Sequence, residues 1–480
     1  MNLACQYRKA RDSDRGREPP DFSWLEQTLA PAEVELFKHY LEHTSRDPSV
    51  DSQDQYALQI GIPKLARHSK PLMKSVLALA AVCKCCDIIR HPSSSHDDSD
   101  RGQVIELLSL AHRYHQDSLR EIQATLHEAN HYDRVLANAA MMGMYGSANH
   151  CTRIWLAKTA TPDGLEQPLC DLTAPGYPQW MSLFRAARLA YAGLLGSTPC
   201  PSPAGSPLSP SVQCEVVPST PSRIRVEQPK PPTIISHPLA PILAATLRPA
   251  LARLQEKAAF VQARSHTDTD TQLQACFAAL SIFTEIATAS LLPHGENNNI
   301  VSHPTPALPT PLLNLPPWLQ HYAANITSMM PSPLPRRTIM SFIHKVPAPY
   351  LDLVEAMMQR IQIQTSTPPL PSSSLLLPPS PSSSSSTLPP SGSDVEGTVP
   401  PDPPSLAHQL AVEIFAHWLV LVLLLDGVWW IGGVGAWELG RVLEVRRVRW
   451  AGERCLWDWE GGWWPEGMRV VAGVVERFKE

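Results

Sequence analysis

Charge is scarce in this chain. Lys, Arg, Asp and Glu make up 18 % of its 480 residues, against roughly 25 % in ordinary globular proteins. The net charge is −5. A surface that reads nucleic acid concentrates Lys and Arg. The only basic cluster here is Arg8, Lys9, Arg11, Arg15 and Arg17, diluted by Asp12, Asp14 and Glu18. An N-terminal apolar stretch of the secretory type is also missing. The ten scattered cysteines are therefore expected as reduced thiols of an intracellular protein, many of them small core residues.

Catalytic signatures are equally thin. There is no G-x-x-x-x-G-K-[ST] phosphate loop and no G-x-S-x-G nucleophile elbow. Gly432-Gly433-Val434-Gly435 resembles part of a dinucleotide fingerprint, but an apolar helical run precedes it where a strand is required. Cys83-x-Cys85-Cys86 has no second Cys or His doublet to complete a zinc site. Cys83 instead continues the apolar face of Leu72, Val76 and Leu79, which predicts core packing. His112 and His115 lack the spacing of a zinc-protease helix and are expected as solvated or capping side chains. Asn325-Ile326-Thr327 is a glycosylation sequon that an unsecreted chain does not use. No enzyme is expected, and the alternative of an all-α enzyme without a known motif has no positive support.

A full-length membrane span is the next absence. The stretch HWLVLVLLLDGVWWIGGVGAWELG, residues 417–440, is the most apolar of the chain. Glu413, Asp426 and Glu438 cut it into segments of about a dozen uncharged residues, whereas a span needs ~20. Asp426 at a bilayer centre costs roughly 2.5–3.5 kcal/mol, against about 0.3–0.6 gained per Leu or Val. No span is expected, and anchoring through 414–437 is the weaker alternative. The stretch reads as a buried helix of about a dozen residues that ends or bends at Asp426, with Gly427 as its cap. The next helix is expected to begin near Trp437.

What the chain does have is helical periodicity and proline. From Pro31, the residues Val34, Phe37, Tyr40, Leu41 and Thr44 share a face. Residues 71–90 are apolar on nearly every side, as in a helix surrounded by helices. Val104, Leu108, Ala111, His115, Leu119, Ile122 and Leu126 recur at steps of four and three. Further helical patterns occupy 132–148, 179–195, 239–264, 269–291, 318–330 and 350–364. In the 269–291 segment Leu273, Phe277, Leu280 and Phe283 share a face. At the C-terminus Met468, Val471, Val475 and Phe478 do the same. No segment alternates at period two for long enough to compete. The expected fold is all-α, a multi-helix bundle. Of the 49 prolines, 22 fall in residues 197–236 and 366–404, which are expected as disordered insertions. The predicted organisation is a basic linker over 1–23, helical parts over 24–196, 237–365 and 405–480, and the two insertions between them.

The order of these segments resembles the fungal-specific zinc-cluster transcription factors, and within them the sterol uptake control proteins. The resemblance rests on PAEVELFKHYLEHTS, IPKLARHSKPLMKSVLALAAVC, LLSLAHRYHQDSLREIQATL and WMSLFRAARLAYAGLL. It is completed by AHWLVLVLLLDGVWWIGGVGAWELGRVLE and WWPEGMRVV. It implies a helical regulatory domain that senses a ligand or partner, preceded by a DNA-binding cluster in which six cysteines share two zinc ions. Cys5-Gln6-Tyr7-Arg8 looks like the end of such a cluster. Cys5 is then its sixth ligand, with the other five expected upstream of Met1. As given, the chain is not expected to hold zinc or read DNA by itself. The implied partners are transcriptional co-regulators, a second copy of the chain and a hydrophobic small molecule such as a sterol. The implied location is the nucleus, or the cytoplasm with transfer to it. The residues expected to line a ligand pocket are Trp418, Leu421, Val422, Leu425, Trp429 and Trp430.

Overall fold

The computed structural model describes residues 24–46, 48, 52–92, 97–125, 132–159, 179–196, 237–264, 270–291, 315–328, 335–365, 404–449 and 463–477. Among these residues there is no strand, and the chain is all-α. The expected insertions, the 1–23 linker, Leu126 and Phe478 lie outside the described residues, apart from Pro404.

The N-terminal half is organised around a helix that is buried on most sides. A short helix α1 (Leu25–Thr28) precedes α2 (Pro31–His39), which continues as a wider π-helical turn over Tyr40–Thr44. Helices α3 (Ser52–Tyr56) and α4 (Ile62–Arg67) are joined through a second such turn, Ala57–Gly61. Helix α5 (Lys70–Arg90) then begins on Ser69, whose hydroxyl accepts the Leu72 N–H, with Pro71 in its first turn. Its Ala, Leu, Val and Cys side chains are buried on nearly all sides because α2, α6 (Asp97–Thr125) and α7 (Tyr132–Lys158) pack around it.

Polar side chains register this packing. Ser75 donates to Asn138 Oδ1 at 2.7 Å and pairs with Ser118 at 2.8 Å. Asn138 donates back to Ser118 at 3.1 Å, so α5, α6 and α7 share one buried network. Such a network is stable only if every member is satisfied, which fixes the relative rotation of three helices. Lys74 adds ion pairs to Asp117 and Glu121 at the edge of the same interface.

His115 departs from its expected place. It is buried and stacks on Tyr145 with ring centroids 4.3 Å apart. The helical period that put it on the apolar face of α6 outweighs its polarity. Burial, with His112 nearby, pushes its imidazole down to about 4. His112 is only half-buried.

The second half is built around α14 (Leu406–Val422). Helices α8 (Gln179–Gly196), α9 (Ala240–Arg264), α10 (Thr271–Leu291), α11 (Pro317–Ile326), α12 (Pro335–Lys345) and α13 (Ala348–Thr365) come before it. Helices α15 (Val434–Arg449) and α16 (Trp464–Arg477) follow it. Helices α9, α10, α12, α13, α15 and α16 all contact α14. Helix α8 packs on α7 and also reaches α12, joining the two halves.

α14 is longer than the dozen residues its charges suggested. Glu413 lies inside it, buried, because Lys257 of α9 reaches its carboxylate at 2.6 Å and Trp463 Nε1 donates to both oxygens at 2.9 Å. Together with the tight turn Leu423–Leu425, the segment Leu406–Leu425 passes the length and hydropathy test for a membrane span, as does Thr271–Leu291. Of the first window 89 % is buried inside the protein. That burial is what a core helix surrounded by other helices requires.

The loop after α14 is closed by a different glycine from the one expected. Gly433 has φ of +81°, a conformation open to glycine and strained for other residues. The Gly433 N–H donates to Asp426 Oδ1 at 3.1 Å, so the aspartate caps a loop that carries Trp429 and Trp430. Gly427 has open space around it. Gly435 is required for another reason: a Cβ there would come within 2.9 Å of the Leu423 backbone nitrogen. The glycines after α14 thus serve a tight turn and a close helix approach.

Candidate ligand cavity

The six residues expected to line a pocket fall into two groups. Trp418, Leu421, Val422 and Leu425 are fully buried core side chains. Trp418 Nε1 donates to the Ile339 carbonyl at 2.9 Å, and its ring stacks on Phe342 with centroids 5.3 Å apart. The loop carries the other two outward from α14. Trp429 lines an open depression of about 220 Å³ with Cys86, Cys151 and Trp155, and Trp430 lines an apolar cavity of about 70 Å³.

That cavity is assembled from distant parts of the chain. α7 contributes Ala140, Gly143 and Met144, α8 contributes Phe184 and Ala187, and α11 contributes Tyr322, Asn325 and Ile326. Arg336, Arg337, Met340 and His344 come from α12. Small residues on α7 are what let α8 come close: a Cβ on Gly143 would sit 3.5 Å from the Leu183 carbonyl, and one on Gly146 within 2.9 Å of the Leu183 side chain. Phe184 is layered between His344 (centroids 4.8 Å) and Trp430 (6.1 Å).

The polar rim is held in place from below. Arg337 pairs with the buried Asp54 carboxylate, and Arg336 donates to the Pro48 carbonyl at 2.7 Å. Burial, reinforced by the guanidiniums of Arg188 and Arg185, pushes the His344 imidazole down to about 3, so the ring is neutral. Two buried polar atoms on residues of this wall have no hydrogen-bond partner among the described residues: His344 Nδ1 and Trp430 Nε1. Orphaned buried donors and acceptors are uncommon and call for an explanation. A wider groove of about 440 Å³ lies between α15 and α16. It is rimmed by Lys158, Arg441, Glu444, Arg469 and Glu476 and is more polar than the smaller cavity.

A buried hydrogen-bonded pair ties the two halves together. His150 of α7 and Glu438 of α15 approach to 2.7 Å, with Arg441 at 3.2 Å from the carboxylate. Burial alone would raise the Glu438 carboxyl; the bond and charge of His150, with Arg441, outweigh it and hold the group below its usual range. His150 in turn stacks on Trp180, and Trp180 on Trp418. Sequence reasoning missed this chain of contacts because its members lie on α7, α8, α14 and α15. Cys5 lies outside the described residues. Elsewhere, His39, Cys83 and Asp87 bring three ligand-type atoms within 4.8 Å of one another.

Comparison with known proteins adds one finding. No curated protein matches the chain, and no solved structure does. Residues 35–157, from within α2 to the end of α7, match the fungal specific transcription factor domain, which supports a role in transcription regulation.

Proposed function

We propose that this chain is the regulatory region of a fungal zinc-cluster transcription factor, controlled by a hydrophobic small molecule that carries a single polar end. The observation that carries the reading is the cavity between α7, α8, α11 and α12, with its apolar wall and the two unpartnered polar atoms of His344 and Trp430. A hydroxyl can donate to the neutral imidazole and accept from the indole N–H. Apolar walls with a few placed polar groups are the usual make-up of small-molecule sites.

Size sets the class of ligand. About 70 Å³ is well below the several hundred Å³ typical of sites for drug-sized molecules. A small apolar alcohol fits without rearrangement. A sterol requires the half-buried Phe184 ring and the loop of Trp430 to move outward, which would shift the balance between two conformations of the domain. The cavity lies where the family-matched segment meets helices outside it, so such a movement would be felt in both halves. DNA contact on this reading comes from an upstream zinc cluster that Cys5 completes. Co-regulators and a second copy of the chain are its protein partners.

Two measurements test the proposal. The chain is fused to an unrelated DNA-binding domain, and expression of a matching reporter gene is followed in fungal cells. A reporter that does not respond in either direction refutes the regulatory role. Thermal melts with cyclohexanol and with a sterol in detergent-matched controls test the ligand. A saturable rise in Tm, weakened ~10-fold or more by His344→Leu, is expected; no shift with either probe eliminates the ligand class.

A further inference from the structure

We propose that His39, His43, Cys83 and Asp87 form a zinc-type metal site that clips α2 to α5. The ligand atoms of His39, Cys83 and Asp87 already lie within 4.8 Å of one another. His39 Nε2 is 3.0 Å from Asp87 Oδ2. His39 Nδ1 is buried and has no hydrogen-bond partner among the described residues. The His43 ring lies beside that of His39, tilted to it by 31°, with centroids 4.9 Å apart.

The arrangement comes from two i, i+4 pairs on facing helices. Cys83 and Asp87 are one turn apart on α5 and point to the same side. His39 closes α2, and His43 follows in the π-helical turn that continues it. Wide turns of this kind inside α-helices occur often at functional sites. No linear zinc signature results, because each helix supplies only half of the set.

The chemistry fits a borderline-soft divalent ion. Thiolate, imidazole and carboxylate bind Zn²⁺ at about 2.0–2.3 Å in tetrahedral geometry. The three inner ligands need only draw together by side-chain rotation, and His43 or water takes the fourth position. The site also has a solvent path, since the Asp87 side chain is 41 % exposed while that of His39 is 14 %. The neighbouring thiols do not compete. Cys85 donates to the Val104 carbonyl, Cys86 pairs with Thr152, and burial pushes the Cys86 thiol up to about 11.

The experiment uses the full chain, stripped with a chelator and titrated with Zn²⁺ by competition against a chromogenic chelator. Co²⁺ substitution reads the ligands. One equivalent is expected, with the intense visible bands of tetrahedral cobalt and a thiolate charge-transfer band. Affinity should fall ~10-fold or more in His39→Gln and in Asp87→Asn, and the thiolate band should vanish in Cys83→Ser. Cys5→Ser and Cys86→Ser should bind like the wild type. Where Cys83→Ser fails to fold, as judged by circular dichroism, the half-exposed Asp87→Asn decides. Unchanged affinity in both His39→Gln and Asp87→Asn overturns the proposal, as does cobalt binding without a thiolate band.

Discussion

Lowering the pH from 7 to 5 should destabilise this fold well before its carboxylates titrate. His115 and His344 are both buried as neutral rings, with imidazoles pushed from 6.5 down to about 4 and about 3. The unfolded chain binds these protons near pH 6.5 and the folded chain does not. Stability is therefore fully present above 6.5, falls as the pH drops below it, and continues to fall until the folded values are reached. The slope is about 1.4 kcal/mol per pH unit for each ring. Between pH 7 and 5 that amounts to about 2 kcal/mol per histidine and about 4 kcal/mol together. At roughly 2 °C or less per kcal/mol for a protein of this size, Tm should fall by up to about 8 °C. Thermal melts followed by tryptophan fluorescence at half-unit pH steps measure it. His344→Gln and His115→Gln should each lower the slope by about 1.4 kcal/mol per pH unit, leaving the share of the buried His417, whose imidazole burial also pushes down, whatever they do to Tm at pH 7. A flat Tm between pH 7 and 5, or a slope unchanged in both variants, refutes the assignment of these rings as neutral buried groups.

Three further perturbations probe the packing. Glu413→Leu leaves Lys257 and the Trp463 N–H without their carboxylate; breaking a buried pair this way should cost about 3–5 kcal/mol, read as a fall in Tm and faster proteolysis around α16. Gly435→Ala drives a Cβ into the α14 backbone and should cost about 1–3 kcal/mol by overpacking, whereas Gly427→Ala, with open space around it, should leave Tm within about 1 °C. The full chain, expressed without detergent and centrifuged at high speed, should stay in the supernatant if α14 is a core helix; quantitative recovery in carbonate-resistant membranes would contradict its burial.

Much of the fold was legible because helical burial writes itself into the spacing of apolar residues. Val34, Phe37, Tyr40 and Thr44 are all buried, and so is most of the 71–90 segment. Two misreadings have the same source. The extent of α14 was cut short because a charge reads as a boundary, while Lys257 and Trp463 make Glu413 tolerable only in three dimensions. His115 was read by its chemistry when its position on the period already placed it inside. The cavity was hardly legible. It needs Gly143, Phe184, Asn325, His344 and Trp430, which no local pattern connects, and of the six residues singled out by apolarity only Trp430 lines it. The metal-type cluster was hidden similarly, since two half-sets of ligands meet only when α2 lies on α5.

The long-range polar pairs have a consequence for how the protein is made. Asp54 is buried on α3, and its arginine partner arrives 283 residues later; His150 waits 288 residues for Glu438. At a synthesis rate of roughly 5–20 residues per second, Asp54 is made about 15–60 s before Arg337. During that time α5 and its neighbours can associate, but the surface that will receive α11, α12 and α15 stays open to water and to other chains. The protein depends for that interval on whatever keeps nascent apolar surfaces apart, and a slower-translated or prematurely ended copy would be exposed for longest.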